Sequence, residues 1–298
     1  MNLIQVEGLN QESKGSPCIL MLMTYSSFIY ENIVDPLGKT PLEFAGNQIF
    51  SDYGRTYPIL DGYFNFKINP MQISKNYINW QESQIDYEDF YANSYLNEST
   101  ENLMSELNQN AILYSDVNFV NKNILDVGGG CGLLRAFLGG QKNYVIIDPQ
   151  ASVLMDSTKS DNLSSVYPFV HDPVDFVIGN AEFLPFKSNS FDIVHIRSAI
   201  DHFFEPQLAI YEVYRVLAKG GSLIIISSLE NQSQQNFTTI LKSILKILLR
   251  KKKTHDHHSW HPNRENLRNL VTESGFSIYK EKVQHLPGVE VLAIYCKK

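Results

Sequence analysis

Cysteine is scarce in this chain. Its three thiols, Cys18, Cys131 and Cys296, share no ligand-like spacing and leave one over in any pairing. That argues against a disulfide scaffold and fits a reducing cytoplasm. Long apolar runs are missing as well: nothing approaches the ~20 residues of a spanning helix. Cys18–Met23 (CILMLM) is too short, and it follows acidic and polar residues rather than a basic leader, which speaks against a signal peptide. Positive charge is in deficit, with 25 Lys and Arg against 32 Asp and Glu and a formal charge of −7. The whole-chain basic footprint of a nucleic-acid binder is therefore lacking. The one dense cationic run is Arg250–Lys253. These deficits predict a cytoplasmic protein without nucleic-acid partners or stable membrane insertion. The 298 residues, 43% hydrophobic and 19% charged, suit one large globular domain or two modest ones.

Residues 124–132 (ILDVGGGCG) carry the densest signal. Branched apolar residues run into Asp126 and then into glycines at 128, 129, 130 and 132. The pattern predicts a buried strand ending in a turn where side chains are not tolerated, because the backbone must take unusual dihedrals and admit a ligand. Leu133–Leu138 reads as a helix whose first amides would face that ligand. Open α/β sheets bind ligands at this place, outside the carboxyl end of a strand. The GxGxG spacing of Gly128, Gly130 and Gly132 departs from the GxGxxG dinucleotide fingerprint, which argues against NAD.

From residue 119 onward, strands and helices alternate. Asn123–Val127, Tyr144–Ile147, Asp175–Ile178, Phe191–Ile196 and Ser222–Ser227 read as strands, and Gln207–Leu217 and Asn263–Glu273 as helices. Phe276–Val283 and Val289–Tyr295 are β-type runs joined by a turn at Pro287-Gly288. The order predicts a parallel, doubly wound sheet with an antiparallel closing hairpin at its edge. Residues 1–70 carry turn signals and β-type runs without helical periodicity. Residues 71–118, rich in Asn, Ser and Tyr, read as a connector or cap with a helix near Thr100–Tyr114. Phe237–Leu249 sets apolar residues at 237, 240, 241, 244, 245 and 248 on one helical face. Lying between the fifth strand and the next helix, it predicts a lid within an insertion at 229–262 rather than an interfacial membrane helix.

With these elements in order, residues 119–298 resemble class I S-adenosylmethionine-dependent methyltransferases of the small-molecule type. ILDVGGGCG looks like the family's first motif, and Asp148 in YVIIDPQ stands where the family keeps an acidic residue for the ribose hydroxyls. GNAEFLPF (179–186) resembles a segment GDAExLPF that reads adenine, with Asn180 in place of the usual aspartate. FDIVHIRSAIDHF (191–203) looks like the fourth strand and its catalytic loop, and RVLAKGGSLIII (215–226) resembles RVLKPGGxLhh. The resemblance implies a Rossmann-like α/β fold, a doubly wound, mostly parallel seven-stranded sheet with an antiparallel final strand. It also implies S-adenosyl-L-methionine as cofactor, held by Asp126, Gly128, Gly129, Gly130, Gly132, Asp148, Pro149, Asn180, Ala181, Arg197 and Ser198. Asp126 and Arg197 have plain alternatives, a strand-end cap and a salt bridge.

A second resemblance is broken. DPLGKTPL (35–42) and FSDYGRTYPILDG (50–62) look like a small zinc ribbon that precedes some methyltransferases, with Asp35, Gly38, Phe50 and Tyr53 at the four cysteine positions. Zinc needs four ligands, usually thiolates or imidazoles, so a metal-free, β-rich ribbon-like domain is expected, packed through Phe50, Tyr53, Tyr57, Ile59 and Phe64.

His202 and Asp201 follow the fourth strand, where the methyl donor would lie. Histidine suits proton removal near neutral pH, and Asp201 would orient it; a packing histidine is the alternative. His255, His257, His258 and His261 form a dense cluster whose spacing matches no standard metal site, so no metal centre is expected. The implied reaction is methyl transfer to oxygen of a small metabolite or a glycan or natural-product intermediate, with nitrogen and carbon less favoured. The competitors are rRNA base methylation, which the absent ribbon cysteines and the acidic charge oppose, and cofactor binding without transfer.

Overall fold

The computed structural model describes residues 25–68, 80, 84, 99–150, 164–167, 172, 174–229, 258–286 and 289–298. The expected lid helix at 237–249, His255, His257, most of the connector and the Pro287-Gly288 turn lie outside the described residues. The strands are β1 (Leu42–Ala45), β2 (Gln48–Ser51), β3 (Thr56–Leu60), β4 (Tyr63–Asn65), β5 (Asn123–Val127), β6 (Asn143–Asp148), β7 (Asp175–Ile178), β8 (Phe191–Arg197), β9 (Leu217–Leu229), β10 (Ser277–Leu286) and β11 (Val289–Lys297). The helices are α1 (Ser27–Asn32), α2 (Thr100–Tyr114), α3 (Pro206–Val216) and α4 (Arg264–Glu273).

All the strands join one sheet in the order β1-β2-β3-β4-β7-β6-β5-β8-β9-β11-β10. β7, β6, β5, β8 and β9 are parallel. β11 is antiparallel to both neighbours, as expected of the final strand. It enters between β9 and β10, so the edge of the sheet is β10 rather than the last strand. The order reverses between β5 and β8, and a crevice opens at their carboxyl ends.

Period-two alternation sorts the strand side chains into two cores. Leu125, Val127, Val145, Ile147, Val194, Ile196, Leu223 and Ile225 pack on one face with α3 and α4. Ile124, Ile146, Phe176, Ile178, Ile193, Ile224 and Ile226 pack on the other with the end of α2. Burial of each such side chain contributes about 1.5–3 kcal/mol. On α4, Asn263 and Asn266 form a reciprocal capping box, which satisfies amides that would otherwise lack partners.

The N-terminal strands extend this sheet, because β4 pairs in parallel with β7. Here the expected packing needs correction. Tyr57 and Phe64 are buried, but Phe50 and Tyr53 are 36% and 65% exposed. The turn is organised by Asp35, fully buried at the first cysteine position of the ribbon-like pattern. Its carboxylate accepts from Arg55 Nε at 3.1 Å and Nη2 at 3.0 Å, from the Tyr57 hydroxyl at 2.9 Å, and from the backbone amides of Leu37 at 2.9 Å and of Gly38. Burial alone would raise its pKa, but Arg55, Gly38 and Tyr57 together hold the carboxyl well below the usual carboxylate range. Sequence comparison with a cysteine pattern drew attention to what was missing and hid this charged replacement.

Removing the anion would leave Arg55, Tyr57 and two amides without their acceptor. Because Arg55 is partly exposed and can be solvated, Asp35→Ala is expected to cost about 1–3 kcal/mol, the scale for leaving buried hydrogen-bonding groups without their acceptor. Because the folded pKa is depressed, that stability is present above about pH 4 and is lost as pH falls below it. Chemical denaturation at neutral pH checks the first claim, and a loss under about 1 kcal/mol would reduce Asp35 to a surface ion pair.

Candidate active site

The crevice at the ends of β5 and β8 holds a cavity of about 260 Å³. Its wall includes Asp126, Gly128, Gly129, Gly130, Asp148, Pro149, Asn180, Ala181, Arg197, Ser198 and His202. Two of the expected site residues, Gly132 and Asp201, stand behind this wall.

The glycine turn is tight for packing as well as for access. Gly128 has φ +68°, and a Cβ there would lie 2.4 Å from the Ala199 Cβ. Gly132 has φ +79°, and a Cβ would meet Ile146 at 2.7 Å. The following segment differs from expectation. Leu133–Phe137 is one 3-10 turn, and Arg135 ties it back to the carbonyls of Cys131 and Gly132. So short a segment aligns few peptide dipoles, which weakens the expected contribution of a helix start facing the ligand.

Asp148 ends β6 and is buried, its Oδ2 accepting from Gly130 N at 2.9 Å and its Oδ1 from Gln150 N at 2.8 Å. Burial raises its pKa to about 6, against the pull of the two amides. Glu182, also in the wall, is pushed up to about 7, chiefly by burial. Asn180 follows β7 and is 2% exposed. Its Oδ1 already accepts from Ile68 N at 2.9 Å, whereas its Nδ2 is buried without a partner among the described residues. The carboxamide thus offers the cavity a donor, not the acceptor that its aspartate-like position suggests.

Asp126 does not present a free carboxylate to the cavity. Its Oδ1 is 2.8 Å from His195 Nδ1, and its Oδ2 accepts from the Tyr144 hydroxyl at 2.6 Å. His195 Nε2 in turn meets the Tyr114 hydroxyl at 2.9 Å. Asp126 and His195 are register partners on β5 and β8, on the face toward α2. This hydrogen-bonded row braces the wall, to which Asp126 and His195 themselves belong, and was missed from sequence. The signal was present: His195 is the polar interruption in FDIVHIR, on the same side as Ile193. Arg197 donates to Glu106 on α2 at 2.9 Å, so the salt-bridge alternative describes its contact. Ser198 takes φ +48°, a conformation non-glycine residues adopt at a cost, where β8 turns into the cavity wall.

Trp80 and Gln84 of the connector also line the cavity. The Trp80 indole donates to the His202 carbonyl at 2.5 Å, tying the connector to the loop after β8. Asp201 lies beside both His202 and His258, with a ligand atom of each of the three within 4.8 Å of the others. Its Oδ2 lies 3.6 Å from His258 Nε2, and the His258 ring packs 4.7 Å from that of His202. The loop carrying His258 is anchored there because Ser259 N and Trp260 N donate to the Asp201 carbonyl at 2.9 and 3.1 Å.

The profile of the Methyltransferase domain family matches residues 125–225, the segment that supplies most of this wall. The chain is 32% identical over 181 residues to the ubiquinone/menaquinone biosynthesis C-methyltransferase UbiE of Pseudomonas savastanoi, across 56% of this chain and 69% of that protein. The chain belongs to the class I S-adenosylmethionine-dependent methyltransferases. S-adenosylmethionine is its cofactor. The UbiE of Blochmanniella floridana is 32% identical over 170 residues, and the methyltransferase spans 65% of that protein's length. A solved methyltransferase from Aquifex aeolicus superposes at TM-score 0.45 and 14% identity, over 67% of this chain and 98% of that one.

The cavity suits this cofactor chemically. A buried carboxylate suits vicinal hydroxyls, an unpartnered buried amide suits a heterocyclic acceptor atom, and the glycine turn leaves room for a close approach.

Proposed function

We propose that this methyltransferase modifies a small, hydroxyl-bearing conjugated acceptor, at the carbon beside an ionised hydroxyl. One observation carries the reading: Asp148, Asn180 and the glycine turn border the same cavity as His202. In this reading Asp148 accepts from the ribose hydroxyls and Asn180 donates from Nδ2 to a ring nitrogen of adenine. The glycine turn lies along the methionine portion. The cofactor supplies a methyl group already activated on a sulfonium. The chain's own task is to orient the acceptor and dispose of its hydroxyl proton, and His202 is the first candidate for that step. Ionising a phenol or enol makes both its oxygen and the adjacent carbon nucleophilic. The relatives' C-methyltransferase names favour carbon over the oxygen that sequence reasoning preferred.

Asp126, Gly129 and Arg197 border the cavity, the two charged groups also engaged by His195, Tyr144 and Glu106, and Gly132 stands outside its wall. The carbonyl of Asp201 holds the His258 loop, and the residue's carboxylate stays beside His202 as the group that would orient it.

The test is incubation of the protein with [methyl-13C]S-adenosylmethionine and a cell extract containing both small molecules and RNA. The expected result is 13C in an extractable small molecule, with the chemical shift of a carbon-bound methyl. An oxygen-bound methyl would restore the O-methylation reading. Label confined to RNA, or no labelled product at all, would overturn small-molecule methylation.

A further inference from the structure

Two adjacent residues of the loop after β8, Asp201 and His202, meet a third metal-ligand side chain, His258, from a segment far along the chain. Ligand atoms of Asp201, His202 and His258 all lie within 4.8 Å of one another. One carboxylate and two imidazoles with open positions are a donor set for a divalent transition cation. A second observation points the same way: Asp201 Oδ1 is buried and has no hydrogen-bond partner among the described residues. An anionic oxygen left so is costly unless a cation or donor completes it. His258 alone does not complete it, because its Nε2 faces Oδ2 at 3.6 Å. The geometry is held by backbone, since Ser259 and Trp260 fasten the His258 loop to the Asp201 carbonyl. His202 also belongs to the cavity wall, so an ion held here would border the space assigned to the acceptor.

We propose that Asp201, His202 and His258 form a binding site for a divalent cation of the zinc class, at the acceptor side of the cavity. The inference builds on the small-molecule reading above and refines the role of His202. The acceptor's hydroxyl oxygen becomes a ligand of the cation, which lowers its pKa. The O–H bond breaks heterolytically, the electron pair stays on oxygen and the proton passes to water. His202 then acts by holding the ion. The sequence spacing of 255–261 hid this site because two of its three ligands come from a different element.

The experiment uses the full-length chain without a histidine tag, stripped with chelator and dialysed. Co2+ and Zn2+ are titrated by calorimetry, with the visible absorption of bound Co2+ and elemental analysis as independent readouts. The wild type is expected to take up one cation per chain. His258→Ala and Asp201→Asn should each weaken uptake at least about tenfold, since even outer-shell losses reach that scale. His255→Ala with His257→Ala should leave uptake unchanged. S-adenosylhomocysteine binding, measured on every variant, reports an intact fold. His258→Ala, at an exposed position, decides the matter if Asp201→Asn fails to fold. Absence of uptake by wild type, or uptake indifferent to His258→Ala, overturns the inference. So does uptake lost only with the 255/257 pair. Intact S-adenosylhomocysteine binding without cation uptake sinks this site alone, whereas cation uptake without S-adenosylhomocysteine binding sinks the methyltransferase site instead.

Discussion

Replacing Asp148 with alanine is expected to weaken S-adenosylhomocysteine binding by about 1.5–3 kcal/mol for each ribose hydroxyl that its carboxylate accepts. The effect has a pH signature. In the free protein, burial holds this carboxyl at about 6, above the ~3.9 of an exposed aspartate. For the fold alone, a raised pKa contributes stability that is complete below about pH 4 and is lost as pH rises through 6. Ligand binding has the opposite sign, because only the ionised form accepts from both hydroxyls. Affinity should therefore climb as pH rises through about 6 and level off above it, by at most about tenfold per pH unit. Glu182 titrates nearby, at about 7, so Asp148→Asn serves as the control and should remove the component near pH 6. Undiminished affinity in Asp148→Ala, measured by calorimetry at pH 8, would remove Asp148 from the cofactor site.

His202→Ala should lower turnover by ~10²–10⁴ while leaving S-adenosylhomocysteine affinity nearly unchanged, the span expected when a group that governs proton loss is deleted. The split matters because His202 is also held in place through its carbonyl by Trp80. A merely structural residue would reduce cofactor affinity and thermal stability together with rate. The loss is expected whether the imidazole takes the proton itself or holds a cation that releases it. Rates in chelator distinguish the two: activity that survives metal removal in the wild type and is lost in His202→Ala assigns the proton to the imidazole. An unchanged rate in His202→Ala would leave it a packing residue.

The fold was legible where local pattern and global topology agree. The run ILDVGGGCG marks β5 and its turn because an apolar strand and left-handed glycines leave a compositional trace. The strands from β6 to β11 appear within a few residues of where alternation puts them. The edge arrangement was not legible: a hairpin of two β-type runs does not say which strand enters the sheet, and β11 lies inside β10. The joining of β4 to β7 rests on pairing between segments more than 100 residues apart, which leaves no local trace.

The site was legible to the extent that single positions carry their chemistry. Asp148 and Asn180 stand at strand ends, where position alone brings a side chain to the crevice. Their partners were not legible. Asp126 meets His195 only because β5 and β8 are neighbours in register, and Asn180 presents a donor only because Ile68 has taken its oxygen. Asp201, adjacent to His202 in sequence, also meets His258, a neighbour from a distant segment that sequence proximity does not reveal.

The central claim is that the crevice at β5 and β8 holds the methyl donor with its reacting end toward the loop of His202. A crystal structure of the full chain with S-adenosylhomocysteine tests it most directly. The account predicts the ribose on Asp148, the adenine against Asn180 and Ala181, and the sulfur facing His202. A ligand with its ribose away from Asp148, or with its sulfur turned away from His202 toward the sheet, would contradict it.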